Sequence, residues 1–98
     1  MSPVSLNSVV VVAARQVSCD LAGEAAILQL DSGLYYTLDR VGARVWSLLQ
    51  QPARVVTLRD TLLAEYDVTP ERLEPDLLDL LGRLAGERLI EVRDADAA

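Results

Sequence analysis

Asp76 and Asp79 stand one helical turn apart, a spacing at which two carboxylates can hold a hard cation. The same spacing arises on any solvated helix face, and fifteen Asp and Glu in 98 residues make such pairs ordinary. Cys19 is the one thiol, and the chain has no histidine and no Cys-x-x-Cys. Those absences exclude Cys-His and Ser-His nucleophilic catalysis within the chain, and ordinary zinc sites with them. Cys19 lies in strand-like sequence and is read as a packed thiol in a reducing, cytosolic setting. Gly82 and Gly86 fall in or after a helix with no strand before them, so no phosphate-cradling loop is present. The reading assigns no catalytic residue, no metal and no cofactor.

What remains is binding chemistry. At ~100° per residue, Leu73, Leu77, Leu80 and Leu84 cluster on one side of a helix, enough for core packing. Leu81 widens the stripe, Leu78 and Ala85 extend it, and Gly82 follows on the same side. Arg72, Asp76, Asp79 and Arg83 form the polar side. Two readings stand for Leu78, Leu81 and Gly82. Either strands or the N-terminal segment cover them, or they line an open groove.

The elements that would position this helix start at Glu24. Ala26, Leu28 and Leu30 alternate with Ala25, Ile27 and Gln29, as in a strand with one more apolar face. Asp31, Ser32 and Gly33 suit a three-residue hairpin loop, with Gly33 at positive φ. Leu34, Tyr36 and Leu38 then share a face opposite Tyr35 and Thr37. Asp39 is a helix N-cap, after which the period changes to about 3.6. Val41, Val45, Leu48 and Leu49 share a helix face, with Trp46 a core anchor at its margin. Thr57 and Asp60 resemble a capping box for the next helix. Pro70 starts a single turn and Pro75 the main third helix, to about Ala85, with Gly86 ending it. Val17 to Leu21 reads as a further strand, and Arg88 to Arg93 as a closing strand or wing.

This pattern is one α+β domain over 1–98, winged-helix-like. An N-terminal antiparallel three-stranded sheet is followed by three helices. Its core runs over about 15–93, with polar tails at 1–8 and 94–98. Val9 to Ala14 is either a first strand or a surface for pairing with another copy, a homo-oligomer contact. Nothing resembles a signal peptide or membrane span, so a cytoplasmic protein without a membrane partner is expected. Nine Arg against fifteen acids leave a net charge of −6. A winged-helix DNA-binding regulator would therefore present an acidic third helix to phosphates, and no nucleic-acid partner is expected. An open strand edge beside an apolar, glycine-floored helix face is instead the equipment for β-augmentation, in which a guest peptide adds a strand.

The tracts DSGLYYTLDRVGARVWSLL and VTLRDTLLAEYDVTPERLEPDLLDLLGRLAGERLIEV resemble the PqqD-like domain, or RiPP precursor peptide recognition element. The pattern matches at Gly33, Tyr35, Tyr36, Leu38, Asp39, Gly42, Trp46, Leu48, Leu49, Tyr66, Asp67, Asp76, Leu77, Leu80, Leu81 and Leu84, across about Val17 to Val92. Ser32 to Leu38 and Trp46 look most like the stand-alone B1 proteins of lasso peptide biosynthesis. The resemblance implies a non-catalytic module that captures a precursor leader peptide and presents it to a separate B2-type leader peptidase. The alternative it leaves open is a PqqD-type peptide chaperone for a radical-SAM or other RiPP-modifying enzyme. It further implies that the leader lies along Leu34, Tyr35, Tyr36, Thr37 and Leu38 and against Asp76, Leu78, Asp79, Leu81, Gly82 and Arg83.

Overall fold

The computed structural model describes residues 4–94, the side chain of Asp94 excepted. In chain order the elements are β1 (Ser8–Val12), β2 (Gln16–Leu21), β3 (Glu24–Gln29), β4 (Tyr35–Leu38), α1 (Arg40–Leu48), β5 (Ala53–Arg54), α2 (Val55–Glu65), α3 (Pro70–Gly86) and β6 (Ile90–Asp94). The strands form two antiparallel three-stranded sheets, β2–β3–β4 and β5–β1–β6. The α+β class with three helices after an antiparallel sheet holds. The closing strand at Ile90 pairs with β1 instead of standing as a separate wing.

Of the two readings of Val9 to Ala14, the first strand holds: β1 pairs with β6 over its whole length and with β5 at Val9 and Val10, where neither side is a free edge for another copy. Its valines have a reason to be inside. Val10 is fully buried, and Val12 packs at the margin of the same core. The expected tail over 1–8 is also shorter than its polarity suggested. Val4 is buried, and the Leu6 carbonyl accepts from Val56 N at the head of α2. Residues 95–98 of the expected C-terminal tail lie outside the described residues.

β2, β3 and β4 form in register through two tight connections. Ala22 and Gly23, both at positive φ, turn β2 into β3. Between β3 and β4, Gly33 adopts φ 73° as expected, but the loop has four residues, Leu30 to Gly33, instead of three, and the Gly33 N–H donates to the Gln29 carbonyl. At the end of β4, Asp39 caps α1 by accepting from Gly42 N at 2.8 Å. Gly42 lets the helix approach closely, since a Cβ there would stand 3.2 Å from Leu38 Cβ.

Two helix starts differ from their sequence signals. Thr57 lies inside α2, and Arg54 precedes the helix without a side-chain cap. α3 runs unbroken through Pro75. The missing N–H falls on an exposed face, where water can reach the Glu71 carbonyl it would have bonded. Leu73 and Leu77, on either side, are buried and pin both turns to the core. Ile27, Leu38, Val45, Trp46, Leu49, Leu62, Leu77, Leu81 and Leu84 belong to that single core, so the sheet β2–β3–β4 and the helices share one interior.

Candidate peptide-docking edge

β4 has one neighbour. Gln29 N donates to the Leu34 carbonyl, which makes that pair hydrogen-bonded, and alternation along an antiparallel ladder then assigns Tyr36 and Leu38 to bonding with β3. The main-chain groups of Tyr35 and Thr37 therefore point away from the sheet, toward the edge that no strand among the described residues occupies. The side chains alternate the other way. Tyr36, like Ile27 and Ser18 beside it, is on the core-facing side, while Tyr35 and Thr37 are on the outer face.

Beside this edge stands the C-terminal end of α3. Leu34, Tyr36, Gln29, Asp31 and Ser32 from the hairpin face Gly86, Glu87 and Arg88 across a groove of about 250 Å³. The Tyr36 phenol donates to Glu87 Oε2 at 2.6 Å, which closes one end. That bond to a carboxylate holds the Tyr36 pKa above its ordinary 10, since loss of the proton would place two anions together. Leu78, Gly82 and Gly86 fall at i, i+4 and i+8 and form one stripe along the helix, ending at the groove. A Cβ added at Gly86 would meet nothing within 4 Å, so this wall is open.

The expected site residues fall into three groups. Leu34 and Tyr35 are strongly exposed, at 56% and 72%, and Thr37 is exposed. Tyr36, Leu78 and Gly82 are half-buried. Asp76, Asp79 and Arg83 are exposed on the polar side of α3, away from the core leucines. Two residues are corrected. Leu81 is fully buried, and Leu38 is 9% exposed, so neither side chain lines an open surface. Leu81 lies nearer the centre of the apolar arc than Leu78, on a helix that packs mainly against α2 and β6. Cys19, expected to be packed, is exposed on the outer face of β2. The reading missed Glu87 and Arg88, which lie past the helix end. Extending the Leu78–Gly82 step by one more turn to Gly86 would have pointed to them.

Among the described residues no group of three or more His, Cys, Asp or Glu stands together, and no helix is long and apolar enough to cross a membrane. The family model for coenzyme PQQ synthesis protein D (PqqD) matches residues 24–90, which contain β3, β4 and all three helices. The chain belongs to the PqqD family. Among solved structures, this PqqD-family chain is similar to TbiB1 in complex with the TbiA(beta) leader peptide. The two are 38% identical, with a TM-score of 0.78, over 83% of this chain and 94% of that one. No curated protein matches the chain.

Proposed function

We propose that this chain is the leader-binding protein of a lasso peptide pathway. It captures the precursor leader by strand addition to β4 and presents it to a separate B2-type leader peptidase. The observation that carries this reading is the unoccupied edge of β4 beside the groove walled by the end of α3. The similarity to TbiB1, a protein solved with a leader peptide, supports it. An antiparallel guest strand bonds the main chain of Tyr35 and Thr37, which provides affinity whatever the guest sequence. Its alternate side chains enter between Leu34 and Tyr36 on one side and the Leu78–Gly82–Gly86 stripe on the other, which provides selectivity. Leu38 acts through position alone, as the buried end of the docking strand. Asp76, Asp79 and Arg83 form a charged rim that the guest passes.

The chain itself performs no cleavage in this reading. It orders a disordered leader, which pays the folding entropy on docking. Titration calorimetry with the cognate leader tests the binding step, with micromolar or tighter affinity expected, about −8 kcal/mol or better. Absence of binding to that leader overturns the reading. Precursor cleavage is expected only when the peptidase is added, and cleavage by this chain alone overturns the non-catalytic assignment. The family match to a protein of PQQ synthesis favours one second reading, delivery of a bound peptide to a radical-SAM or other modifying enzyme. Stimulation of peptide modification instead of cleavage selects it.

A further inference from the structure

The two sheets treat their edges differently. In β5–β1–β6, one edge strand is only two residues long and the other carries Glu91 and Arg93, both common protections against unwanted pairing. In β2–β3–β4, neither edge is protected. β4 is left open for a guest in the reading above, but β2 has no such reason. Its six residues, Gln-Val-Ser-Cys-Asp-Leu, contain no proline and one charge. Leu30 N donates to the Arg15 carbonyl, so alternation assigns Val17, Cys19 and Leu21 to bonding with β3 and turns the main chain of Gln16, Ser18 and Asp20 outward.

We propose that β2 is a self-association edge, pairing antiparallel with β2 of a second copy about a two-fold axis at Cys19. The occupant is read from the strand itself. A two-fold pair sets each residue against the one equally far beyond the axis, and with the axis at Cys19, Val17-Ser18-Cys19-Asp20-Leu21 sets apolar against apolar and polar against polar. In this register Val17, 56% exposed, lies opposite Leu21 of the second copy, and Leu21, 52% exposed, lies opposite its Val17. A shift of two residues would set Leu21 against Arg15 and forfeit that burial.

The polar positions also match. Ser18 Oγ accepts from Trp46 Nε1 at 3.1 Å, which leaves its own proton to donate to Asp20 of the second copy. Asp20 uses Oδ1 for Gly23 N and keeps Oδ2 for that bond. The net charge of −6 opposes self-association, and Arg40, which lines the groove of about 660 Å³ beneath β2 with Asp20 and Glu24, offsets part of it at this edge. The result is one sheet, β4–β3–β2–β2–β3–β4, with both β4 edges free at its ends. The inference stands apart from the peptide-binding reading, since β2 and β4 are opposite edges.

Sedimentation equilibrium over rising concentrations, in reductant, tests it. A reversible monomer–dimer equilibrium is expected, weak because one strand pair buries less than a standard interface. V17K/L21K places like charges opposite each other across the axis and should weaken the dimer by roughly tenfold or more. V17E/L21K makes the same positions attractive and should restore it. Both variants change exposed outer-face side chains, and circular dichroism checks that the fold is kept. Under mild oxidation, Cys19 should form the disulfide-linked dimer, since facing non-hydrogen-bonded residues lie within disulfide reach. A chain that stays monomeric throughout, a dimer that resists V17K/L21K, or one that Cys19 does not cross-link overturns the proposal.

Discussion

The Tyr36 hydroxyl and Glu87 Oε2, 51 positions apart in sequence, meet at 2.6 Å and tie β4 to the residue that caps α3. This bond sets the width of one end of the groove, so its state is readable by titration. Tyr36 should ionise above the ordinary phenol value, because its pKa is raised. The sign follows. The contribution of the bond is fully present below the ordinary value of 10 and is lost as pH rises through the raised one. Ultraviolet titration of the phenolates checks it, and Glu87→Gln should bring Tyr36 back toward that ordinary value.

Two proline substitutions one residue apart should behave in opposite ways. The Thr37 N–H faces the open edge, so Thr37→Pro should keep the fold and weaken leader binding by removing a donor from the guest. The Tyr36 N–H bonds β3, so Tyr36→Pro should unfold the hairpin or the whole chain. Thermal melts paired with calorimetry separate the two outcomes. Full leader affinity in a folded Thr37→Pro variant would remove the strand-addition reading.

Neighbouring leucines on α3 should divide between binding and stability. Leu78→Arg, at a half-buried position, should reduce leader affinity by about tenfold or more, or ~1.4 kcal/mol, with the melting midpoint little changed. Gly82→Leu should reduce affinity in the same way by narrowing the wall. Leu81→Ala, at a fully buried position, should cost about 2–5 kcal/mol of stability. Denaturant unfolding and calorimetry on the same variants test the division.

Arg44 and Glu65 join α1 to α2 through two bonds, Nε to Oε1 at 2.9 Å and Nη2 to Oε2 at 2.6 Å. The guanidinium lowers the Glu65 pKa below its ordinary 4.5. The contribution of this pair is therefore present above that value and lost as pH falls through the lowered one. Comparing the unfolding midpoints of wild type and Glu65→Gln across this acid range should show a difference at neutral pH that vanishes in acid.

The parts of the site that were legible in sequence are those set by near neighbours. The Gly33 turn, the alternation from Leu34 to Leu38, the Asp39 cap and the breadth of the apolar stripe on α3 each depend on residues a few positions apart. Cys19 and Leu81 were misplaced because a strand or helix pattern says which residues share a face, not which face another element covers. Pro75 and Thr57 were misplaced because local start signals lost to buried leucines and valines that extend the helix on either side.

Sequence by itself determined the elements, their faces and the absence of histidine chemistry, since propensity, capping and periodicity act over a few residues. Only the tertiary structure decided that β1 is paired with both β5 and β6, that β2 is an open edge besides the expected one at β4, and that Tyr36 reaches Glu87. Those outcomes depend on pairings between residues up to 86 positions apart, Ser8 with Asp94. Each was settled by competition for burial among surfaces that no local stretch of the chain contains.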